Sequence, residues 1–161
     1  MDVLWSPWRS TYVMGSDAKS GCVFCSLAKN SEPEADKASF VLFRGEFNFV
    51  VLNLYPYASG HMMLVPFSHV ATLSEAEKRI TDELMDLAKK GEKALKVEYG
   101  PDGFNIGMNL GQAAGAGVAD HFHLHILPRW VGDTNFVTTI GQTRVLPEAL
   151  EVTYQRLKKH F

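Results

Sequence analysis

The sequence has only two cysteines, no apolar run long enough to cross a membrane and no surplus of positive charge. Each of these absences removes a class of protein. Cys22 and Cys25 stand too close together to staple a domain, so the fold does not depend on disulfides. In a reducing compartment such a Cys-x-x-Cys pair is either a metal half-site or a redox pair, and the spacing alone leaves both open. The longest apolar runs, such as Met62 to Phe67, fall far short of the roughly 18 residues a membrane helix needs. The opening MDVLWSPWRS lacks the basic start and apolar stretch of a signal peptide, so the expected location is cytoplasmic. Sixteen Lys and Arg against eighteen Asp and Glu give a formal charge of -2, which argues against duplex nucleic acid or an anionic membrane as partner. An anionic ligand must therefore be held by local groups.

What is present is the composition of one soluble globular unit, 161 residues with 46% hydrophobic, 11% aromatic and 21% charged. Residues 1–161 are expected to form a single domain, with an aromatic arm over 1–20 (Trp5, Pro7, Trp8, Arg9) and a C-terminal helix over 147–161. Residues 30–38 read as a polar connection. Ser39–Arg44 and Phe47–Leu52 read as a hairpin around Gly45-Glu46, and His61–Pro66 as a third strand after a Pro/Gly turn. Ser74 and Glu77 match a capping box for a helix over 74–98, with Ile80, Leu84, Leu87, Ala88, Ala94 and Leu95 on one face. Tyr99-Gly100-Pro101 stops it. Gly103–Leu110 reads as a strand and Gly111–Gly117 as a Gly/Ala-rich turn.

From His121 the chain alternates histidine and apolar residues, so a strand would send His121, His123 and His125 to one side and Phe122, Leu124 and Ile126 to the core. Three imidazoles on one face can supply a neutral nucleophile, a proton donor or metal ligands near neutral pH. A solvated strand face and a metal site made by the histidines alone are the alternatives. The glycines at 111, 115 and 117 permit turns that aim backbone N–H groups at an oxyanion, which suits a phosphate beside a nucleophile. His61 and His160 are read as packing and as a mobile terminal residue, without a role in the chemistry. Arg129 and Trp130, just after the triad, are possible contacts to a base or phosphate.

The run His121-Phe122-His123-Leu124-His125-Ile126-Leu127 resembles the signature of the histidine triad (HIT) family. Cys22-Val23-Phe24-Cys25, Leu52-Asn53-Leu54-Tyr55-Pro56, Gly60-His61, Pro66 through His69 and Pro128-Arg129 fall in the family's order, covering roughly residues 20–130. Leu4-Trp5-Ser6-Pro7-Trp8-Arg9 and Trp130-Val131-Gly132-Asp133-Thr134-Asn135-Phe136 look like the bacterial branch related to diadenosine tetraphosphate phosphorylases, also called ATP adenylyltransferases. The resemblance implies an α+β HIT-like fold, an antiparallel sheet of about five strands with the long helix packed on it, and a homodimer. It implies a nucleotidyl transferase that cleaves dinucleoside polyphosphates through a nucleotidyl-histidine on His123, with inorganic phosphate as acceptor.

In that scheme His125 orients the phosphate and leaving group, Asn53 bonds the ribose, and Asn109, Gln112 and Gly117 lie at the phosphates. Many hydrolytic members carry Gln and Ser or Thr where this chain has Gly117 and Val118, so the phosphate contacts fall to Gln112 and backbone N–H groups. A hydrolase or nucleoside phosphoramidase using water is the alternative, and a non-catalytic nucleotide-binding protein is the alternative of another class. The family's structural zinc implies Cys22, Cys25, His69 and His121 as ligands, a closed Cys2His2 set, with no catalytic metal required.

Overall fold

The structure, a computed structural model, describes residues 21–135, 138, 140 and 148–161. The aromatic arm 1–20, Phe136 and Pro147 lie outside the described residues. Five strands form one antiparallel sheet: β1 (Val41–Arg44), β2 (Asn48–Leu52), β3 (Met62–Pro66), β4 (Gly103–Gly107) and β5 (Leu124–Arg129), in the order β1-β2-β3-β5-β4. The α+β reading of the sequence is borne out, with strand limits a few residues shorter than expected. Two short helices precede the sheet, α1 (Val23–Lys29) and α2 (Pro33–Ala38), so residues 30–38 are not simply a polar connection. Pro33 sits in the first turn of α2, where its missing N–H costs nothing.

Both faces of the sheet are covered, which is why every residue of β2 is buried. Leu42, Val50, Leu52, Met62, Leu64, Phe122, Leu124 and Ile126 pack with Ile80, Leu84, Leu87, Ala88, Ala94 and Leu95 of α3 (Lys78–Tyr99). Tyr154 and Leu157 of α4 (Leu150–Lys158) close the same core, the C-terminal helix the sequence predicts. The residues that alternate with these, Val41, Phe49, Val51 and Val65, meet Phe24 of α1 on the opposite face. The helix α3 crosses the sheet closely at Gly91, where an added Cβ would lie 2.8 Å from Met62 Sδ and 3.3 Å from Ile126 Cδ1. None of the helices in the described residues is long and apolar enough to cross a membrane.

The stop of α3 is as expected: Gly100 takes the left-handed conformation (φ 53°) and its N–H returns to the Lys96 carbonyl. Its start is not. Ser74 does not cap it; Glu77 is the N-cap, without a side-chain bond, and the Glu75 carboxylate instead accepts the N–H groups of Ala71 and Thr72. His160 is not a loose terminal residue either, because its Nε2 lies 2.7 Å from Glu98 Oε1. Hydrogen bonds from Lys159 and His160, the largest influences, hold the Glu98 carboxyl at about 2.

A single α3 carboxylate organises the β1–β2 hairpin. Glu83 accepts the N–H of Glu46 (2.7 Å), the N–H of Phe47 (2.8 Å) and the Asn48 amide (2.7 Å). Burial opposes its ionisation, but these hydrogen bonds outweigh that and keep its pKa below the ordinary value. Such a group stabilises the fold above its unfolded pKa, and the contribution is lost as pH falls through the folded one. Glu83→Ala strands three donors and is expected to cost about 2–3 kcal/mol, or roughly 5–10 °C in Tm. The difference from wild type should shrink between about pH 7 and about pH 3 in thermal melts. An equal difference at both pH values would show that the charge is not its source.

Candidate active site and metal centre

The strand expected from His121 begins only at Leu124, so His121 and His123 lie in the extended segment that leads into β5. The reason is local: β5 pairs with β3 from Leu124 to Ile126, and beyond it the Phe122 N–H is taken by the Val70 carbonyl. The division of sides still holds. Phe122, Leu124 and Ile126 enter the α3 core, while the rings of His121 and His123 meet Phe24 on the other face. His121 (0% exposed) and His123 (5%) are buried, which excludes a solvated polar face. Buried imidazoles need partners, and each has one.

Those partners assign the ring protons. His123 Nδ1 lies 3.1 Å from the His121 carbonyl, a pure acceptor, so Nδ1 carries the hydrogen and Nε2 keeps its lone pair. His121 donates Nε2–H to the Pro66 carbonyl at 2.9 Å, which leaves its Nδ1 as an unprotonated donor atom. The Tyr57 N–H donates to His61 Nδ1 (3.1 Å), so His61 Nε2–H points at His125 Nδ1, 2.9 Å away. Neutral His125 therefore holds its own hydrogen on Nε2. The His123 and His125 ring centroids are 4.8 Å apart. An imidazole with a free lone pair thus stands beside one that presents an N–H, the pairing that nucleophilic attack with leaving-group stabilisation requires. Burial, the dominant influence, lowers the pKa of both His121 and His123 and favours their neutral forms.

His61 is the residue of the candidate site to which the sequence reading gave no role. It is 1% exposed and fixes the tautomer of His125. The available signal was a histidine placed directly before the wholly apolar strand Met62–Pro66, where burial obliges it to find a partner. Asn53 lies beside it: Oδ1 accepts the Tyr55 N–H at 2.9 Å and Nδ2 lies 3.4 Å from the His61 ring nitrogens. Asn109, Gln112 and Gly117 lie in the loop between β4 and β5, which leaves the sheet beside His125 because Gly107 pairs with it. Gln112 opens a 3-10 turn flanked by Gly111 (φ 78°) and Gly115 (φ 83°), both at the positive φ that favours glycine. Val118 packs against the Phe24 cluster. Arg129 is committed elsewhere, to Asp133 (2.6 and 2.7 Å) and Asn105 (2.6 Å).

A second centre adjoins the first. Cys22 caps α1, Cys25 lies in its first turn, His69 follows β3, and these meet the ring of His121. His121 Nδ1 is 3.3 Å from Cys22 Sγ and 3.6 Å from Cys25 Sγ, and His69 Nδ1 is 3.2 Å from Cys25 Sγ. All four donor atoms lie within 4.8 Å of one another. A tetrahedral zinc with ordinary bond lengths needs S···N edges of about 3.6 Å, close to the 3.2 to 3.6 Å separations here, so the donor set suits the ion once its wider pairs draw in. Zinc would act there as a structural clamp, with no open position for substrate. The cysteines do stand at a helix start, as a redox pair would, but the sheet is antiparallel at every described pairing and offers no βαβ unit.

The model of the HIT domain family matches residues 34–131, beginning after α1. Over 160 residues the chain is 38% identical to AP-4-A phosphorylase of Mycobacterium tuberculosis, spanning 96% of this chain and 81% of that protein. It is 30% identical over 126 residues to adenosine 5'-monophosphoramidase HNT1 of Saccharomyces cerevisiae, spanning 77% and 73% of the two. A solved Zn-bound histidine triad family protein from Mycobacterium smegmatis superposes with a TM-score of 0.69 at 25% identity, over 87% of this chain and 92% of that one. Metal analysis of the purified protein is expected to give about one zinc per chain, and Cys22→Ser/Cys25→Ser should lose both the metal and several degrees of Tm. A fully metal-free native protein of undiminished stability would remove the clamp.

Proposed function

The chain belongs to the HIT domain family, and from that membership we propose that it is a nucleotidyl transferase that cleaves dinucleoside polyphosphates, diadenosine tetraphosphate foremost. The observation that carries the reading is the fixed tautomer of His123, which leaves Nε2 as a nucleophile beside the N–H of His125. His123 Nε2 attacks the α-phosphorus, the bond to the bridging oxygen breaks, and the nucleoside polyphosphate leaves with its developing charge stabilised by His125 Nε2–H. Inorganic phosphate then attacks the nucleotidyl-histidine, forming ADP and regenerating the neutral imidazole. Asn53 holds the ribose, and Asn109, Gln112 and the Gly117 backbone hold the phosphates. His61 keeps His125 in its donor tautomer throughout. Zinc at Cys22, Cys25, His69 and His121 is structural in this reading, and the protein works as one domain over 1–161 in a homodimer.

Phosphate is favoured as acceptor by the phosphorylase named for the relative at 38% identity, and by Val118, which turns an apolar side chain into the Phe24 cluster where hydrolases offer a hydroxyl. The phosphoramidase named for the relative at 30% identity supports the second reading, in which water accepts the nucleotidyl group. Product analysis of diadenosine tetraphosphate turnover separates them: ADP plus ATP, formed only when phosphate is added, is the expected result. AMP plus ATP without phosphate would establish the hydrolase instead. His123→Asn should lower turnover by at least about 10³-fold and abolish the covalent adduct. Undiminished turnover in that variant would end the nucleophile assignment, and binding without turnover in the wild type would leave a nucleotide-binding protein.

A further inference from the structure

One buried aromatic ring touches both centres and is used by neither reading. Phe24 lies between Cys22 and Cys25 in α1 and is 3% exposed. Its ring centroid is 5.4 Å from that of His121, edge-on at 71°, and 4.9 Å from that of His123, tilted by 53°. The helix that carries it is fastened at both ends. Its start is held by the approach of the cysteines to His69 and His121. Its end is held by Arg44, whose Nη2 donates to the carbonyls of Leu27 (2.8 Å) and Asn30 (2.7 Å) while Asp36 grips the guanidinium.

A histidine needs two constraints to be aimed, because a single hydrogen bond still lets the ring pivot about it. For His123 the first is the Nδ1–H bond to the His121 carbonyl. The second is the packing of the tilted Phe24 ring against it. Both trace back to the cysteine and histidine cluster: His121 supplies a ring nitrogen to it and the carbonyl to His123, and Phe24 rides on the helix turn between its two thiols. We propose that Phe24 is a positioning residue for the His123 nucleophile, and that the Cys22–Cys25 turn, when clamped by metal, sets the plane of that ring. Phe24 carries no group that can react and acts through the imidazoles it packs against. The inference rests on the reading of His123 as nucleophile. It makes α1, which precedes the residues matched by the family model, part of the catalytic apparatus.

Phe24→Leu is the informative variant, since it keeps most of the apolar volume and leaves all four metal donors in place. Displacing a nucleophile by about 1 Å is enough to cost about 10²-fold in rate. The expected result is metal content and KM like wild type, with adduct formation on His123 slowed at least about tenfold in single-turnover quench experiments with diadenosine tetraphosphate. The His123 imidazole ¹⁵N signals should broaden or shift away from the single Nδ1–H form, while those of His61 stay in place. Removing metal from the wild type with a chelator should change the His123 signals in the same direction, and adding zinc should restore them. Wild-type adduct rates and unchanged His123 signals in a folded, metal-replete Phe24→Leu protein overturn the proposal. If wild type itself forms no adduct, the nucleophile reading fails, and the ¹⁵N signals of the variant still decide whether Phe24 orients the ring.

Discussion

The hydrogen bond that His121 donates from Nε2 to the Pro66 carbonyl is 2.9 Å long and wholly buried. It ties the segment carrying the histidines to the end of β3 and commits the Nε2–H of His121. With Nε2–H spent, Nδ1 faces the thiols of Cys22 and Cys25. With the ring so placed, the backbone carbonyl of the same residue meets His123 Nδ1. A carbonyl that could accept from any donor is thereby made to select one tautomer of His123. Replacing His121 would disturb the four-donor cluster, the strand junction and His123 together, which makes it a poor residue through which to separate them.

The two faces of the sheet carry different tasks. The α3 side holds the larger apolar cluster, with Gly91 admitting the helix into close contact with Met62 and Ile126, and it supplies most of the hydrophobic driving force. The α1 side joins a small apolar patch to four buried or half-buried imidazoles and two thiols. Burying so many polar rings is tolerable because each ring has a partnered nitrogen, in a chain running Tyr57 to His61 to His125 and another running Pro66 to His121 to His123.

Periodicity made most of this legible. Strands with both faces covered, a helix with six apolar positions in phase, and a Tyr-Gly-Pro stop are long or emphatic signals, and the structure places them within a few residues of expectation. The donor set Cys22, Cys25, His69 and His121 came from resemblance, and the structure brings the four together. What escaped has physical causes. The helices α1 and α2 span 7 and 6 residues, too short for a helical period to declare itself. Ser74 and Glu77 satisfied a capping pattern that Glu75 pre-empted by binding the N–H groups of Ala71 and Thr72. His61 depends on a partner 64 residues away and His160 on one 62 residues away, contacts that no local pattern encodes.

The same long separations bear on how the site comes into being. Cys22 and His121 meet across 99 residues, so the chain between them includes α1, α2, the whole of α3 and the strands β1 to β4. Closing so long a loop is entropically dear in the unfolded ensemble, on the scale of a cross-link worth about 4–5 kcal/mol in the chain-entropy view. A metal ion bridging those residues would therefore act as a late staple, set only after the sheet has assembled around β5. During synthesis the two thiols leave the ribosome about 5–20 s before His121 does, at ordinary elongation rates. Until His69 follows them they would form half a site open to a soft metal, and the choice of ion would fall to the histidines that arrive later.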